Sequence, residues 1–176
     1  MDLKKVIESL LTWFQDKDIK YALIGGFALH AYGYVRATRD IDFLVLEKEQ
    51  NRIVTYLEQL GFETINRSQG YSNHIHSIGT LRIDFVYVDD FTGDKIFRET
   101  DKKVLFENLQ ISIVSVRHLI TLKLFAAKND PERKLRELAD IKELVKIAHI
   151  DKLQVRELLS KYGFEEWIEE VVNAGR

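Results

Sequence analysis

The chain contains no cysteine, and its 176 residues include one proline and one methionine. The absence of cysteine excludes disulfides and thiolate metal sites, so a metal ion would need oxygen or imidazole ligands. No run of apolar residues is long enough to span a bilayer. The amino terminus, Met1 to Lys5, does not have the pattern of a signal peptide. We therefore expect a cytoplasmic protein without a membrane contact.

A large excess of charge of one sign is also missing, because the formal net charge is -2. This balance provides no general attraction to nucleic acid, although a local basic cleft can exist in such a chain. The hydrophobic content of 45% is sufficient for the core of one domain, or of a compact domain with a helical appendage.

Hydrophobic periodicity predicts an α/β half followed by an α-helical half. Residues 2–16 have apolar side chains at helical spacing, and residues 40–46 alternate as a strand does. The other predicted elements are strands at 21–24, 62–66, 73–78, 81–88 and within 103–114, and helices at 27–32, 47–60 and from 115 onward. One helix should end at Asn129 and the next should begin at Pro131. We thus predict a mixed β-sheet domain over residues 1–114 and a C-terminal helical bundle over residues 115–176.

An acidic pair opens the strand at 40–46. Asp40 and Asp42 point to the same face of this strand, with α-carbons roughly 6.5 to 7 Å apart, and can share a cation. Asp84, in a later strand, could complete the site. Three carboxylates without a compensating histidine or cysteine favour Mg²⁺ or Mn²⁺.

A glycine pair, Gly25 and Gly26, forms a strand-to-helix turn ahead of these acids. A helix that begins at a glycine pair presents free backbone N–H groups and the positive end of its dipole, and the missing side chains let a phosphate approach. A metal site together with a phosphate-binding turn indicates phosphoryl-group chemistry.

The spacing of these motifs over residues 23–88 resembles the active-site signature of the DNA polymerase beta nucleotidyltransferase superfamily, with a glycine pair, an Asp-x-Asp and one more strand-borne aspartate. A longer run is similar to the small bacterial nucleotidyltransferases of the minimal, toxin–antitoxin or abortive-infection types. It comprises Gly26, Ala28, Gly33, Arg36, Thr38, Asp40, Ile41 and Asp42. A weaker resemblance covers Ser115 to Ile141, where Lys123 stands at the position of a lysine that faces the nucleotide phosphates in related proteins. The implied fold is an α/β nucleotidyltransferase domain whose helical bundle closes one side of a nucleotide cleft.

This resemblance also implies a division of roles. Asp40 and Asp42 would hold two Mg²⁺ ions, and Asp84 would ligate the second ion and help to remove a proton. A hydroxyl would attack the α-phosphate of a nucleoside triphosphate in line, and pyrophosphate would leave. The residues expected to contact the nucleotide are Gly25, Gly26, Arg36, Thr38, Arg39 and Lys123. Some members of the family have Gly-Ser at the turn, whereas here the backbone donors must suffice.

Several of these residues also have structural interpretations. Arg36 and Arg39 could pair with neighbouring or surface acids. Lys123 could extend its ammonium group out of an apolar helix face. Asp140 could be satisfied by Arg136, which precedes it by four residues on a predicted helix.

His74 and His76 share a face of a predicted strand, and the register of that strand decides what they meet. A three-residue turn at Gly79 to Leu81 would set His76 opposite Asp84, whereas a two-residue turn would place both histidines on the other face. Both alternatives stay open at the level of sequence.

The expected function is transfer of a nucleoside monophosphate to a hydroxyl on RNA, on a protein or on a small molecule such as an aminoglycoside. The resemblance to toxin–antitoxin types adds an expected antitoxin partner. The alternative is a nucleotide-binding regulatory or interaction protein without turnover, which would be favoured if the three acids pointed apart or if Phe27 or Tyr32 blocked the cleft. A metal-dependent nuclease uses similar acids but has no use for the glycine turn.

Overall fold

The computed structural model describes residues 3–78, 81–106, 108–148 and 150–173. The chain divides into two compact units. The first comprises Met1–Phe27 and Ala37–Val114, and the second comprises Ala28–Arg36 and Ser115–Arg176. The predicted division after residue 114 stays a prediction, and the segment at 28–36 is grouped with the C-terminal helices.

The first unit contains a mixed β-sheet. Its strands are β1 (Tyr21–Ile24), β2 (Asp40–Leu46), β3 (Phe62–Arg67), β4 (Tyr71–His76), β5 (Arg82–Val88), β6 (Asp101–Leu105) and β7 (Leu109–Ile113). Its helices are α1 (Leu3–Asp16), α3 (Gln50–Gln59) and α4 (Asp90–Arg98), and it also contains the start of α2 (Gly25–Ala31). The strand order is β3-β4-β5-β2-β1-β7-β6. Strand β2 is parallel to β5 and antiparallel to β1. The predicted mixed α/β fold is confirmed.

One face of the sheet is closed by α1. The aromatic ring of Phe14 lies 5.8 Å from that of Phe43 and 6.4 Å from that of Phe85, in edge-to-face contacts. Ile41 and Ile83 share this face, and all five side chains are fully buried. Because side chains alternate along a strand, the residues between them on β2 and β5 point to the opposite face.

Helix α4 was not predicted from the sequence. Gly93 lies near its middle, and an interior glycine lowers helix propensity by about 1 kcal/mol relative to alanine. Asp89 compensates in part, because its carboxylate accepts a hydrogen bond from the backbone N–H of Thr92 at 2.8 Å. A β-carbon at position 93 would overlap Leu46 of β2. The glycine therefore permits close packing of α4 on β2.

The second unit contains α5 (Val116–Asn129), α6 (Lys134–Ile147), α7 (Lys152–Tyr162) and α8 (Ile168–Val172). Helix α5 ends at Asn129, as predicted. Helix α6 begins later than predicted, because residues 131–133 form a turn before it. Across the described ranges, every helix is too short or too polar to span a bilayer.

Candidate active site on the acidic face of the sheet

The three predicted acids lie on one face of the sheet. Strands β2 and β5 place Asp42 in register with Asp84, and Asp40 in register with Arg82. Neighbouring strands are about 4.8 Å apart, so Asp42 and Asp84 are direct neighbours. All three aspartates are half-buried. Their neighbours Ile41 and Ile83 are buried on the opposite face of the sheet. We call Asp40, Asp42 and Asp84 the acidic face.

Asp40 carries a buried oxygen that lacks a hydrogen-bond partner. Its Oδ1 atom is the one buried side-chain nitrogen or oxygen atom without a hydrogen-bond partner in the part of the chain that the structure describes. Leaving a buried acceptor unsatisfied is unfavourable by about 1–3 kcal/mol, and by more when the group is charged. This oxygen is therefore suited to a cation or a water molecule from solution.

Asp84 is held from the neighbouring strand β4. Asn73 lies directly opposite Asp84 on this strand, which brings its side-chain amide within reach of the Asp84 carboxylate. Burial raises the pKa of Asp84, and the negative charge of Asp40 acts in the same direction. The Asn73 amide and the positive charge of Arg82 oppose this rise in the pKa without cancelling it.

The glycine pair lies directly against the acidic face. Gly25 has a φ of 66°, and a β-carbon there would overlap the Asp42 carboxylate. A β-carbon on Gly26 would lie 2.5 Å from Oγ1 of Thr38. Glycine at these positions therefore leaves room for the side chains of Asp42 and Thr38.

The two histidines of β4 point away from the acidic face. Asn73 is opposite Asp84, and His74 is opposite Ile83, whose side chain is fully buried. The side chain of His74 is also fully buried, and that of His76 is 7% exposed. The alternative that set His76 opposite Asp84 is wrong. The predicted turn at residues 79–81 lies partly outside the described residues.

The carboxylates of the acidic face are ligands of the type that Mg²⁺ prefers. Within the described residues, no three acidic or histidine side chains are gathered into a metal site. Mg²⁺ does not require such a cage, because proteins often hold it with one or two carboxylates, several waters and the substrate phosphates. The neighbouring carboxylates of Asp42 and Asp84, with the unpartnered oxygen of Asp40, fit this mode of binding.

The sequence matches the model of one protein family over residues 9–166, and this family is described as "Nucleotidyl transferase AbiEii toxin, Type IV TA system". The match includes the glycine turn, the acidic face and α5 to α7. The chain belongs to the AbiEii nucleotidyl transferase toxin family. Its membership confirms the predicted superfamily and supports an enzyme of the nucleotidyltransferase type within a toxin–antitoxin system.

Solved structures share the fold of this AbiEii-family chain. The lincosamide antibiotic adenylyltransferase LnuA, bound to lincomycin, is 14% identical with a TM-score of 0.54, over 68% of this chain and 84% of that one. The antibiotic-resistance factor ANT(2'')-Ia is 17% identical with a TM-score of 0.59, over 99% and 92%. An antigenic nucleotidyltransferase-like protein from Paracoccidioides brasiliensis is 14% identical with a TM-score of 0.56, over 96% and 92%. No curated protein sequence matches the chain.

The cations predicted to contact the nucleotide differ in their surroundings. Arg39 is exposed just before β2 and makes no ion pair within the described ranges. In the second unit of this AbiEii-family chain, the buried ammonium of Lys123 lies 2.8 Å from Glu137 and 2.6 Å from Asp140. Arg36 donates two hydrogen bonds of 2.9 Å to the carboxylate of Asp140. Lys123 and Arg36 therefore have acidic partners already, and their contacts with a nucleotide stay predictions.

The partner predicted for Asp140 is wrong. Arg136 lies 3.4 Å from Glu137, and Asp140 is paired with Arg36 and Lys123 instead. Burial acts to raise the pKa of Glu137, but its interactions with Lys123 and Arg133 outweigh this effect and hold the pKa below its usual value. The four-residue spacing on α6 could not reveal ion pairs between this helix and other segments of the chain.

Asn73 was not among the predicted site residues. An asparagine on a strand next to an acidic strand is a weak signal, because its partner depends on the strand register. That register depends on the connection between β4 and β5, which the sequence left open between two turn lengths.

Proposed function

We propose that this chain transfers a nucleoside monophosphate from a nucleoside triphosphate to a hydroxyl acceptor, with Mg²⁺ or Mn²⁺ as the cofactor. The observation that carries the proposal is the acidic face, with Asp42 and Asp84 in register on parallel strands and Asp40 beside them. Membership of the family supports nucleotidyl transfer in general. The metal, the acceptor and the roles of individual residues are our proposal.

In this proposal Asp40 and Asp42 would hold the cations and Asp84 would share one of them. When bound, divalent cations neutralise the charge of the triphosphate and of the leaving pyrophosphate. Asp84 accepts the proton of the attacking hydroxyl while the oxygen of that hydroxyl forms a bond to the α-phosphorus. The bond from the α-phosphorus to the bridging oxygen of pyrophosphate breaks on the opposite side.

The remaining predicted residues would bind the phosphates. The backbone amides at Gly25 and Gly26 and the hydroxyl of Thr38 would donate hydrogen bonds to phosphate oxygens. Among the cations Arg39 is the first to test, because Arg36 and Lys123 already have acidic partners.

The acceptor would be RNA, a protein or a small molecule, and the family description leads us to propose an antitoxin partner encoded beside this chain. Expression of the wild-type chain should then arrest the growth of a host cell, and the neighbouring gene should relieve the arrest. Asp42→Asn should not arrest growth. Arrest by both chains would contradict a toxic transfer reaction.

The central experiment measures transfer of label from each of four α-³²P nucleoside triphosphates, with Mg²⁺ or Mn²⁺. The acceptors are the protein itself, total RNA and a host-cell lysate. Wild type should label one of these acceptors. The rate of transfer by Asp42→Asn should be at least about 100-fold lower, because removal of one charged catalytic interaction typically has such an effect. Asp18→Asn is the matched control, because Asp18 lies at a φ of 52° that asparagine also accepts.

The outcomes distinguish a nucleotidyltransferase from a nucleotide-binding protein without turnover. Label that requires Asp42 and a divalent cation would support the transferase and identify the donor and the class of acceptor. The absence of label with a folded protein that binds a nucleoside triphosphate would favour the alternative, a nucleotide-binding regulatory protein.

A further inference from the structure

We propose that Asn73 is a positioning residue for the acidic face, and that its side-chain amide holds the Asp84 carboxylate in one orientation. The inference rests on the proposed function, because it concerns the same site. It adds a residue of β4 to a site whose sequence motifs lie on β2 and β5.

The geometry of two neighbouring strands carries the inference. Asn73 and Asp84 are directly opposite each other on the antiparallel strands β4 and β5. Side chains in such pairs have β-carbons about 4.5–5.5 Å apart, so the Asn73 amide is within reach of the Asp84 carboxylate and can donate a hydrogen bond to it. An amide donor at this position would restrict the rotation of this carboxylate.

The chemistry of an amide suits this position. A carboxylate has about four lone-pair sites, so one amide donor leaves acceptor capacity for a cation or a proton. A lysine or arginine at position 73 would form a competing ion pair with Asp84. An aspartate would add a fourth negative charge and could not donate a hydrogen bond when ionised. Asparagine donates without changing the charge of the acidic face.

Hydrogen bonds on the opposite side of β4 hold Asn73 in place. The His74 ring contacts Oγ1 of Thr64 at 3.1 Å and Oγ of Ser72 at 2.7 Å. The Ser72 hydroxyl in turn contacts the Tyr87 hydroxyl at 2.7 Å. This chain of contacts ties β4 to β3 and β5 on both sides of Asn73. A shift of register would break it, so the amide of Asn73 stays opposite Asp84.

The test compares Asn73→Thr with Asn73→Val, two side chains of similar shape that both suit a strand. Only threonine has a hydroxyl donor. Binding is measured by electron paramagnetic resonance titration of Mn²⁺, alone and with α,β-methylene analogues of the four nucleoside triphosphates. Asn73→Val should weaken Mn²⁺ binding, or lower kcat, by about 10–100-fold with a smaller change in KM. Asn73→Thr should recover part of the loss. The control Asn108→Ala, at an exposed asparagine directly before β7, should match wild type.

The outcomes distinguish this inference from the proposed function. Equal behaviour of wild type, Asn73→Thr and Asn73→Val, with Mn²⁺ bound by all three, would overturn the positioning role and leave the transferase standing. Weaker Mn²⁺ binding by Asn73→Val, in a protein whose wild type transfers no nucleotide, would support the positioning role and overturn the transferase. A wild type that neither binds Mn²⁺ nor transfers would overturn both.

Discussion

At the scale of single residues, Gly25 joins the backbone conformation of the turn to the acidic face. Its φ of 66° lies in the left-handed region, where a side chain adds about 1–2 kcal/mol of strain. The Asp42 carboxylate occupies the space in which a β-carbon would lie. Glycine at position 25 therefore has a second role besides the predicted approach of a phosphate, because it leaves the space that the Asp42 side chain occupies.

We predict that Gly25→Ala will damage both stability and activity. The overlap must displace Asp42, so transfer should fall at least about tenfold, and the strain should lower the free energy of unfolding by about 1–2 kcal/mol or more. Urea unfolding and the label-transfer assay measure the two effects. Gly70→Ala is the matched control, because a β-carbon there has no atom within 4 Å and no positive φ. A Gly25→Ala variant that behaves like the control would contradict this account of the turn.

His74 links the stability of the sheet to pH. Burial lowers the pKa of His74 from 6.5 to about 4, and the charge of Arg67 adds to this effect. The unfolded chain therefore takes up a proton near pH 6.5 that the folded chain does not bind until about pH 4. The free energy of unfolding should fall as the pH decreases through this window, by at most about 3 kcal/mol, and the loss should be complete below it.

The expected pH dependence can be isolated with His74→Gln. This variant lacks the titrating ring, so its free energy of unfolding should decrease less than that of wild type between pH 7 and pH 4.5. Urea unfolding at several pH values measures both slopes. Identical slopes for the two proteins would show that His74 is not the origin of the pH dependence.

At the scale of elements, the pairing of strands decides which residues meet. Asp40 and Asp42 share a face because side chains alternate along β2, which any strand would impose. Asp84 joins them because β5 lies beside β2 in parallel and in a register that aligns Asp42 with Asp84. A shift of one residue would have turned Asp84 to the buried face.

Helix α4 permits a prediction about packing between elements. Gly93→Val would place a branched side chain against Leu46, where even a β-carbon would overlap. The free energy of unfolding should fall by about 1–3 kcal/mol, the usual range for overpacking. Thermal and urea unfolding measure the loss. The double variant Gly93→Val with Leu46→Ala should lose less than the sum of the two single variants, and strictly additive losses would contradict the contact.

At the scale of the whole molecule, the second unit is organised around buried charges. Segment 28–36 is distant in sequence from α5 and α6 but contributes Arg36 to this cluster. Lys123 is 6% exposed in its side chain, Glu137 3% and Asp140 2%. Buried ions are stable only when they are paired. Each carboxylate here is matched by a cation from another segment or from the same helix.

We predict that Lys123→Met will destabilise the protein by about 3–5 kcal/mol, because it leaves two buried carboxylates without their shared cation. Lys128→Met, at an exposed position of the same helix, should change the free energy of unfolding by less than about 0.5 kcal/mol. Denaturant unfolding measures both variants. A stable Lys123→Met protein with weakened nucleotide binding would instead support the predicted contact of Lys123 with phosphate.

The sequence by itself determined the local features of this protein. The alternation along β2 and the spacing of apolar residues in α1 and α5 follow from periods of two and 3.6 residues. The glycine pair that ends β1 and begins α2 is a local signal of the same kind. These patterns were sufficient to predict Asp40 and Asp42 on one face. The motif spacing was sufficient to predict the superfamily, which the match to the AbiEii family confirms.

Only the tertiary structure decided which distant residues meet. It placed Asn73 rather than His76 opposite Asp84 and paired Asp140 with Arg36 and Lys123 rather than with Arg136. It also explained the interior glycine of α4, because the Leu46 side chain occupies the space in which a β-carbon at position 93 would lie. Strand register, ion pairs between helices and close packing depend on contacts between segments far apart in sequence, and local periodicity contains no information about such contacts.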